Sequence, residues 1–235
     1  MYTFDFSFLS DFWESLLDGA WATIEISVGC LVLGFIMGVL LAVARRSDSH
    51  IVRRLAGGFV DLTRNTPLIV QTFWLFFGLA ALGIQISAFY TAIIALSINT
   101  SGYTCEIVRA GMDTIYHGQR EAAECLGLSR WQILRSVILP QAVEKMFPSL
   151  MSQFVLMMLG TSIMSQISVE ELTAVGLQIQ SQTFRGFEAY LIIAGMYLVL
   201  SWLLRVSMAF CYNVAFPKQR RIEASLLAAQ RGTAS

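Results

Sequence analysis

Five long apolar runs constrain the fold of this chain more than any other feature of its sequence. Each run is about as long as the roughly 20 apolar residues with which an α-helix crosses a bilayer. The runs lie at 24–44, 67–86, 89–108, 148–167 and 189–210. Only α-helices and closed β-barrels span lipid, and these runs are too long and too evenly apolar for barrel strands. The sequence therefore predicts an all-α integral membrane protein with five transmembrane helices.

The positive charges are distributed unevenly between the connections. Charged residues make up 14% of the chain, whereas a soluble domain has roughly 25%. With the N-terminus outside, all of the 16 lysines and arginines except Arg185 fall on the cytoplasmic side. Basic residues are concentrated in the cytoplasmic loops of membrane proteins. We therefore expect a multi-pass protein with its N-terminus outside and its C-terminus in the cytoplasm.

The two ends of the chain differ in composition from the membrane domain predicted at 21–215. Residues 1–20 contain several aromatic and acidic side chains and no lysine or arginine, which favours a helix lying on the outer membrane surface. Residues 216–235 are polar and rich in basic side chains. They are therefore expected to form a cytoplasmic tail.

The stretch at 113–140 is polar although it lies between apolar runs, and its last twenty residues read EAAECLGLSRWQILRSVILP. A helix is predicted over 113–126, because Gly127 suits the left-handed residue that follows a helix C-terminus. Ser129 and Gln132 have the spacing of a capping box, which starts a second short helix. From spacing alone, this insert is either an ordinary amphipathic loop or a docking element for a cytoplasmic partner.

Motifs in and around this insert resemble those of one transporter family. The "EAA" signature of the permease subunits of ABC importers is matched by Glu121, Ala122, Ala123, Gly127, Leu139 and Pro140. Further motifs follow the order found in the polar amino acid branch of that family. They are TIEIS at 23–27, RNTPLIVQ at 64–71, HGQREAAECLGLS at 117–129 and VILPQA at 137–142. The resemblance covers most of the chain.

The resemblance implies the type I ABC importer permease fold, in which 113–140 holds the coupling helix. The implied partners are ABC ATPase subunits, a second permease that is identical or a paralogue, a periplasmic solute-binding protein and a polar amino acid, with no nucleic acid. The implied location is the bacterial inner membrane. Lys145 and Lys218 are the only lysines, and neither lies in a phosphate-binding loop. ATP and Mg are therefore expected on the ATPase, and this chain is expected to be a transporter subunit with no cofactor and no catalytic residue.

Polar residues inside the apolar runs are candidates for a substrate pathway, because they are costly to expose to lipid. Asn99, Tyr103 and Glu106 are spaced at i, i+4 and i+7 and lie on one helical face. They are expected either to contact the substrate or to hold helices together by hydrogen bonds and ion pairs. Gln71 in the second run is a weaker candidate.

The fourth run is unusually polar and includes Gln153, Thr161 and Ser162. Pro148 and Gly160 can distort its helix and free backbone groups to line a cavity. These side chains are expected either to line the pathway or to hydrogen-bond between helices. The sequence departs from the family here, because Leu-Gly stands at 159–160 where the resemblance leads us to expect Lys-Asp.

The connection at 168–187 is amphipathic and resembles the extracytoplasmic loop that meets the solute-binding protein. Its simpler interpretation is that it only caps the helix bundle. Glu170 and Glu171 are suited to begin a helix here, because a helix N-terminus attracts negative charge.

A self-contained secondary transporter or channel for a small polar solute is the alternative from another class. Such proteins commonly have inverted repeats with broken helices in both halves, and the sequence shows no such repeat. None of the four cysteines has metal-ligand spacing, so no metal site is expected.

Overall fold

The computed structural model describes residues 3–114 and 117–215, and every regular element in these ranges is helical. The α-helices are α1 (Leu9–Ala44), α2 (His50–Asn65), α3 (Leu68–Ala81), α4 (Ala88–Asp113), α5 (His117–Cys125), α6 (Arg130–Ile133), α7 (Leu139–Gly160), α8 (Leu172–Thr183) and α9 (Gly186–Ala215). A π-helical turn at Trp74–Gly78 lies inside α3, and another at Leu134–Ile138 joins α6 to α7. The predicted all-helical fold is confirmed, whereas the predicted tail at 216–235 lies outside the described residues.

The first helix is longer than a membrane is thick. Its 36 residues extend for about 54 Å at 1.5 Å per residue, against a hydrocarbon core of about 30 Å. Residues 9–20 therefore continue without a break into the span predicted at 24–44. This differs from the separate surface helix expected for residues 1–20, because nothing in the sequence between them stops the helix.

Small residues let α1 and α4 pack closely. A Cβ atom added at Gly34 would lie 2.9 Å from Cβ of Thr100, and one added at Gly38 would lie 2.5 Å from Cβ of Thr104. These glycines have the four-residue spacing that small residues adopt where two membrane helices approach each other. The pair α1–α4 thus forms the centre of the bundle.

Within residues 3–114 and 117–215, three helical stretches are long and apolar enough to cross a membrane, namely Leu9–Ala44, Trp131–Ile167 and Gly186–Val214. They contain three of the five predicted spans. The span predicted at 67–86 corresponds to α3, which is shorter because the chain turns at Gly83 with φ +83°. The span predicted at 89–108 lies within α4, which is long enough but less apolar because it contains many serines and threonines. The count of five transmembrane helices therefore stays a prediction.

The fourth predicted span begins much earlier in the structure than in the sequence analysis. Its helix runs through α7 from Leu139 to Gly160, so Pro148 lies inside the helix and not at its start. After Gly160 the chain tightens into a 3₁₀ helix at Thr161–Ile167. Pro140, by contrast, stands in the first turn of α7, directly after the π-helical turn at Leu134–Ile138.

The core is arranged along α1 in three clusters of buried side chains. At the end where α1 begins, Leu16 packs with residues of α8 and α9. In the middle, Ile26 packs with α4, α7 and the 3₁₀ helix. At the end where α1 stops, Ala42 packs with α2, α4 and α7. These two ends are called the Leu16 end and the Ala42 end below.

Candidate functional site

The polar insert folds as a helical hairpin, formed by α5, a glycine turn and α6. Gly127 has φ +76°, the left-handed conformation predicted for it. The N–H of Leu128 donates to the carbonyl of Ala123 at 3.2 Å, and the N–H of Gly127 donates to the carbonyl of Glu124 at 3.0 Å. These bonds satisfy the last carbonyls of α5, as glycine caps commonly do. The predicted helix end is confirmed, but the helix begins at His117 because 113 belongs to α4.

The second helix of the hairpin begins with the predicted capping box. The N–H of Ser129 donates to Oε1 of Gln132 at 2.8 Å, and the N–H of Gln132 donates to Oγ of Ser129 at 3.4 Å. This reciprocal pair satisfies two N–H groups that would otherwise lack a partner at the start of α6.

Most of the EAA signature residues are on the surface of the hairpin. Glu121, Ala122, Gly127, Leu139 and Pro140 are exposed. Ala123 is buried together with Ile133 of α6. Of the two alanines of the signature, only Ala122 is therefore exposed.

Two large apolar side chains add to the exposed surface of the hairpin. Leu126 is 80% exposed and Trp131 is 67% exposed. Neither is covered by the described part of the chain, although burying such side chains is strongly favourable. The hairpin therefore presents an apolar surface with a sharp glycine turn, as expected of a docking element.

An ion cluster lies at the Ala42 end and includes the predicted pathway residue Glu106. The Glu106 carboxylate accepts from Arg45 of α1 and, at 2.8 Å, from Nη2 of Arg109, and it lies 3.9 Å from Nη1 of Arg64. Asp113 extends the cluster by pairing with Arg46 and, at 3.2 Å, with Nη1 of Arg109.

This cluster joins the last turn of α1, the end of α2 and the end of α4. Since α5 follows α4 after only three residues, the cluster also lies next to the hairpin in the chain. The geometry favours the second interpretation given for Glu106, an ion pair that holds helices together.

The other two residues of the predicted α4 face lie further along the helix. Tyr103 lies beneath Arg64, whose guanidinium carbon is 5.5 Å from the ring centre. Asn99 donates from Nδ2 to Oε1 of Gln71 at 3.4 Å. Gln71 in turn donates to the carbonyl of Thr63 at 2.8 Å. The structure therefore brings Gln71 and Asn99 together where α2, α3 and α4 meet.

A cavity of about 340 Å³ opens beside this junction. Its walls are Phe59, Leu62, Thr63, Thr66, Val70, Gln71, Trp74, Leu75 and Ile98. Trp74 belongs to the π-helical turn of α3, a kind of irregularity that often occurs at functional sites. Gln71 thus offers a polar group in an otherwise mostly apolar cavity.

The candidates of the fourth span are placed less favourably for a pathway. Thr161 is fully buried, and its hydroxyl donates to the carbonyl of Met158 at 2.6 Å. The hydroxyl of Ser162 donates to the carbonyl of Leu159 at 2.7 Å. Gln153 is half-buried on α7. Both hydroxyls bond the preceding turn of their own helix, which supports neither cavity lining nor hydrogen bonding between helices.

Leu159, at the position that departs from the family, lines a second cavity of about 570 Å³ between α7 and α9. Trp202 and Arg205 of α9 form part of the same cavity. A leucine there supplies neither the charge nor the hydrogen bonds of the Lys-Asp pair expected from the resemblance.

Sequence reasoning missed a buried polar junction at the Leu16 end. Glu171 begins α8, as proposed, and its Oε1 accepts from the N–H groups of Thr173 at 2.9 Å and Ala174 at 3.1 Å. Its Oε2 also accepts from the hydroxyl of Tyr197 at 2.5 Å. Burial raises the pKa of the Glu171 carboxyl, although these hydrogen bonds oppose the shift. No local sequence pattern indicated a role for Tyr197, because its hydrogen-bond partner Glu171 is 26 residues away.

Comparison with known proteins places the chain among transport proteins. Residues 32–213 match the family described as "Binding-protein-dependent transport system inner membrane component". The chain is 36% identical over 203 residues to the glutamine transport system permease protein GlnP of Escherichia coli strain K12, an alignment that covers 86% of this chain and 93% of that protein. It is 31% identical to the nopaline transport system permease protein NocM of Agrobacterium fabrum, over 84% of this chain and 86% of the relative.

Solved structures show the same fold. An amino acid ABC transporter crystallised with histidines matches with a TM-score of 0.83 and 33% identity, over 89% of this chain and 98% of that one. An inward-facing methionine ABC transporter matches with a TM-score of 0.72 and 19% identity, over 87% of this chain and 97% of that one, which supports the fold alone.

Proposed function

We propose that this chain, which belongs to the family of binding-protein-dependent transport system inner membrane components, carries a polar amino acid across the bacterial inner membrane. It is a multi-pass membrane protein and the permease subunit of an amino acid ABC importer, so ATP is hydrolysed by a separate subunit and not by this chain. The names of the relatives, for glutamine and nopaline, support a polar amino acid or a derivative as substrate. The observation that carries this proposal is the extent of the identity, which spans most of both chains.

Coupling to ATP hydrolysis is assigned to the hairpin. Its exposed Ala122, Leu126 and Trp131 would enter a cleft of the ATPase, where ATP and Mg are held. The turn at Gly127 would let α5 and α6 fit the cleft together. Leu139 and Pro140 begin α7 and would receive the motion through the π-helical turn that joins α6 to α7.

The pathway is proposed to pass between this chain and a second permease, identical or a paralogue. Gln71 and Asn99 are its best-supported polar groups, because they meet beside an open cavity. Thr161 is less suited because it is fully buried, and Glu106 is less suited because its carboxylate is already paired with arginines. A periplasmic solute-binding protein would deliver the amino acid at the Leu16 end.

The orientation follows from charge. The Ala42 end carries Arg45, Arg46, Arg64 and Arg109, and the hairpin is next to it in the chain. The positive-inside rule and the need to meet an ATPase both favour the cytoplasm for this end. The N-terminus would then lie outside.

The test is ATP-dependent uptake of a panel of labelled amino acids into proteoliposomes that hold this chain, its ATPase and its solute-binding protein. Gly127→Asp is compared with Gly83→Asp. Both glycines have positive φ and no atom within 4 Å of an added Cβ, but Gly83 lies in the α3–α4 turn, away from the hairpin. Both substitutions therefore strain a turn, and only the first places a charge on the docking surface.

We expect uptake to require ATP, and to be lost in Gly127→Asp together with ATPase binding, while Gly83→Asp retains most of it. Uptake that proceeds without ATP and is unchanged in Gly127→Asp would instead favour a self-contained secondary transporter. Equal loss in both variants would mean that turn strain, and not docking, causes the defect.

A further inference from the structure

Helix α2 has two apolar faces, and only one of them is covered by the chain. Ala56, Val60 and Thr63 are buried against α4 and its neighbours. Ile51, Leu55 and Leu62 are 71%, 70% and 63% exposed. At 100° per residue, these three side chains fall within about 40° of one another on the helix. They form a continuous exposed stripe, called the α2 stripe below.

Two exposed arginines follow each other on this helix. By the same arithmetic, Arg54 lies beside the stripe, about 60–100° away around the helix axis, whereas Arg53 lies on the opposite side, about 160–180° away. Arg53 donates to the carbonyl of Ser47 at 3.1 Å and contacts Nδ1 of His50 at 2.9 Å. Within residues 3–114 and 117–215 the structure pairs neither Arg53 nor Arg54 with a carboxylate. The arginines of the neighbouring ion cluster, by contrast, are all within 4 Å of Glu106 or Asp113.

Residues 45–66 and the end of α4 together carry excess positive charge. Their arginines are Arg45, Arg46, Arg53, Arg54, Arg64 and Arg109, and their acidic residues are Asp48, Asp61, Glu106 and Asp113. Positive charge therefore outweighs negative charge even after every carboxylate is counted. An anion is the complementary ligand.

The position of α2 in the chain places it at a membrane surface. It begins at His50, a few residues after the end of α1, and Leu68 begins the apolar helix α3 soon after its last turn. A helix with an exposed apolar stripe and an arginine beside it, next to the end of a membrane span, has the composition of a helix that lies in the interface plane. Clusters of basic residues in this position attract anionic lipids.

We propose that α2 is an interfacial helix that binds anionic phospholipid headgroups of the cytoplasmic leaflet. Arg54 contacts the phosphates, and the α2 stripe enters the boundary between headgroups and acyl chains. The leaflet assignment rests on the orientation proposed above. The contact between lipid and α2 does not depend on that orientation, because it is inferred from the α2 stripe and the exposed arginine beside it.

A second copy of this chain fits the same surface less well. Symmetric association would bring the same surface of both copies together, and with it the like charges of Arg54. Lipid phosphates supply the opposite charge, and acyl chains cover the stripe without needing a complementary shape.

The proposed contact connects lipid to the transport machinery. Arg64, in the last turn of α2, lies 3.9 Å from Glu106 of α4, and Thr63 packs against Gly102 of α4. If α2 is held at the membrane surface, these contacts would limit the movement of the end of α4 from which the hairpin extends. Anionic lipid is expected to raise ATP-coupled uptake through this contact.

The first test measures the depth of the α2 stripe in the bilayer. The permease–ATPase complex is placed in nanodiscs of phosphatidylcholine and phosphatidylglycerol, with the exposed Cys125 and Cys211 changed to serine and a bimane probe attached to Leu55→Cys. The matched control carries the probe at Arg53→Cys, an exposed position on the opposite side of the same helix. Acyl-brominated lipids should quench the probe at 55 strongly and the probe at 53 weakly. Equal quenching, or cross-linking of the residue-55 cysteine to a second copy of the chain, would overturn the proposal.

The second test measures headgroup preference with spin-labelled phosphatidylglycerol and phosphatidylcholine in the same nanodiscs. Arg54→Gln should lower the preference for phosphatidylglycerol by about fivefold, the effect expected of one basic residue at an anionic surface. Arg54→Lys should keep most of it, and Arg53→Gln, an exposed arginine on the opposite side of the same helix, should change it much less. An unchanged preference in Arg54→Gln would overturn the headgroup contact.

Neither test needs ATP or an amino acid, so a failure of transport would not affect its result. A membrane-impermeant thiol reagent added outside intact cells should not label the cysteine at 55. Labelling from outside would overturn the assignment to the cytoplasmic leaflet. The quenching experiment would still test whether the α2 stripe contacts lipid.

Discussion

The Leu16 end and the Ala42 end of the bundle handle polar groups in opposite ways. At the Leu16 end, Glu171 is fully buried and bonded to Tyr197 and to two backbone N–H groups. At the Ala42 end, Glu106 and Asp113 share several arginines, most of them partly exposed to solvent. Beyond that end, the hairpin leaves Leu126 and Trp131 uncovered.

This difference indicates which end is complete by itself. A buried network that satisfies all its members fixes one arrangement of α8 and α9, and it is costly to break. Partly exposed ion pairs contribute little stability and exchange partners easily. The Leu16 end is therefore the more rigid part of this subunit, while the Ala42 end is suited to binding partners and to conformational change.

The largest effect is expected from breaking the buried network. Glu171→Ala removes the cap of α8 and the acceptor of the Tyr197 hydroxyl, and should lower the free energy of unfolding by about 3 kcal/mol. The unfolding midpoint in mixed micelles of detergent and SDS measures this. Glu170→Ala is the control, because the neighbouring Glu170 is exposed. Equal shifts in the two variants would show that the Leu16 end is no firmer than the rest.

A smaller effect is expected from crowding the same end. A Cβ at Gly19 would lie 2.8 Å from Cγ2 of Val175 and 3.2 Å from the backbone of Leu172. Gly19→Ala should therefore destabilise by about 2 kcal/mol, since backbone yields less than a side chain.

Gly57→Ala is the matched control at the other end, because no atom lies within 4 Å of a Cβ added there. It should leave stability unchanged or raise it by roughly 0.5–1 kcal/mol, as alanine favours a helix more than glycine does. If the two variants proved equally stable, packing would not distinguish the two ends.

The third prediction concerns the Ala42 end and separates two roles for Glu106. Glu106→Gln removes the charge shared by Arg45, Arg64 and Arg109, and should lower stability by only about 1 kcal/mol, because the pairs are partly exposed. The KM for the amino acid should stay unchanged in the proteoliposome assay. A large rise in KM without loss of stability would identify Glu106 as a substrate contact instead.

The hairpin was predictable because its signals are local. Gly127 ends α5, and Ser129 and Gln132 start α6, through contacts within five residues. The resemblance added the role of docking to this geometry. The start of α5 was misplaced because 113 suits a helix equally well as the last turn of α4.

The pathway residues were harder to predict because their roles depend on distant partners. The i, i+4, i+7 spacing correctly put Asn99, Tyr103 and Glu106 on one face, but could not reveal that Glu106 meets Arg45, 61 residues away. Thr161 looked polar in sequence, yet its hydroxyl is satisfied by its own backbone. A hydroxyl can always bond the preceding turn of its helix, so composition alone does not place it in a cavity.

The smallest expected effect is a pH dependence at the Leu16 end, which contains a buried and an exposed carboxyl. Burial raises the pKa of Glu171 above its ordinary value of 4.5, so the folded protein holds this proton more tightly than the unfolded chain. The stability that this group contributes is then fully present below pH 4.5 and is lost as the pH rises through the higher folded pKa. Glu171→Gln, which cannot ionise, should therefore gain stability relative to the unsubstituted protein as the pH rises.

The exposed Asp5 provides a control of opposite sign. Hydrogen bonds from Ser7 lower the pKa of Asp5, so its contribution is present at neutral pH and is lost as the pH falls through the folded value. Asp5→Asn should accordingly lose stability relative to the unsubstituted protein at neutral pH and match it in acid. Unfolding midpoints measured across this pH range for the three proteins decide the matter. Parallel curves for Glu171→Gln and the unsubstituted protein would mean that Glu171 ionises as readily in the folded protein as in the unfolded chain. The Leu16 end would then differ from the Ala42 end in packing but not in the ionisation of a buried carboxyl.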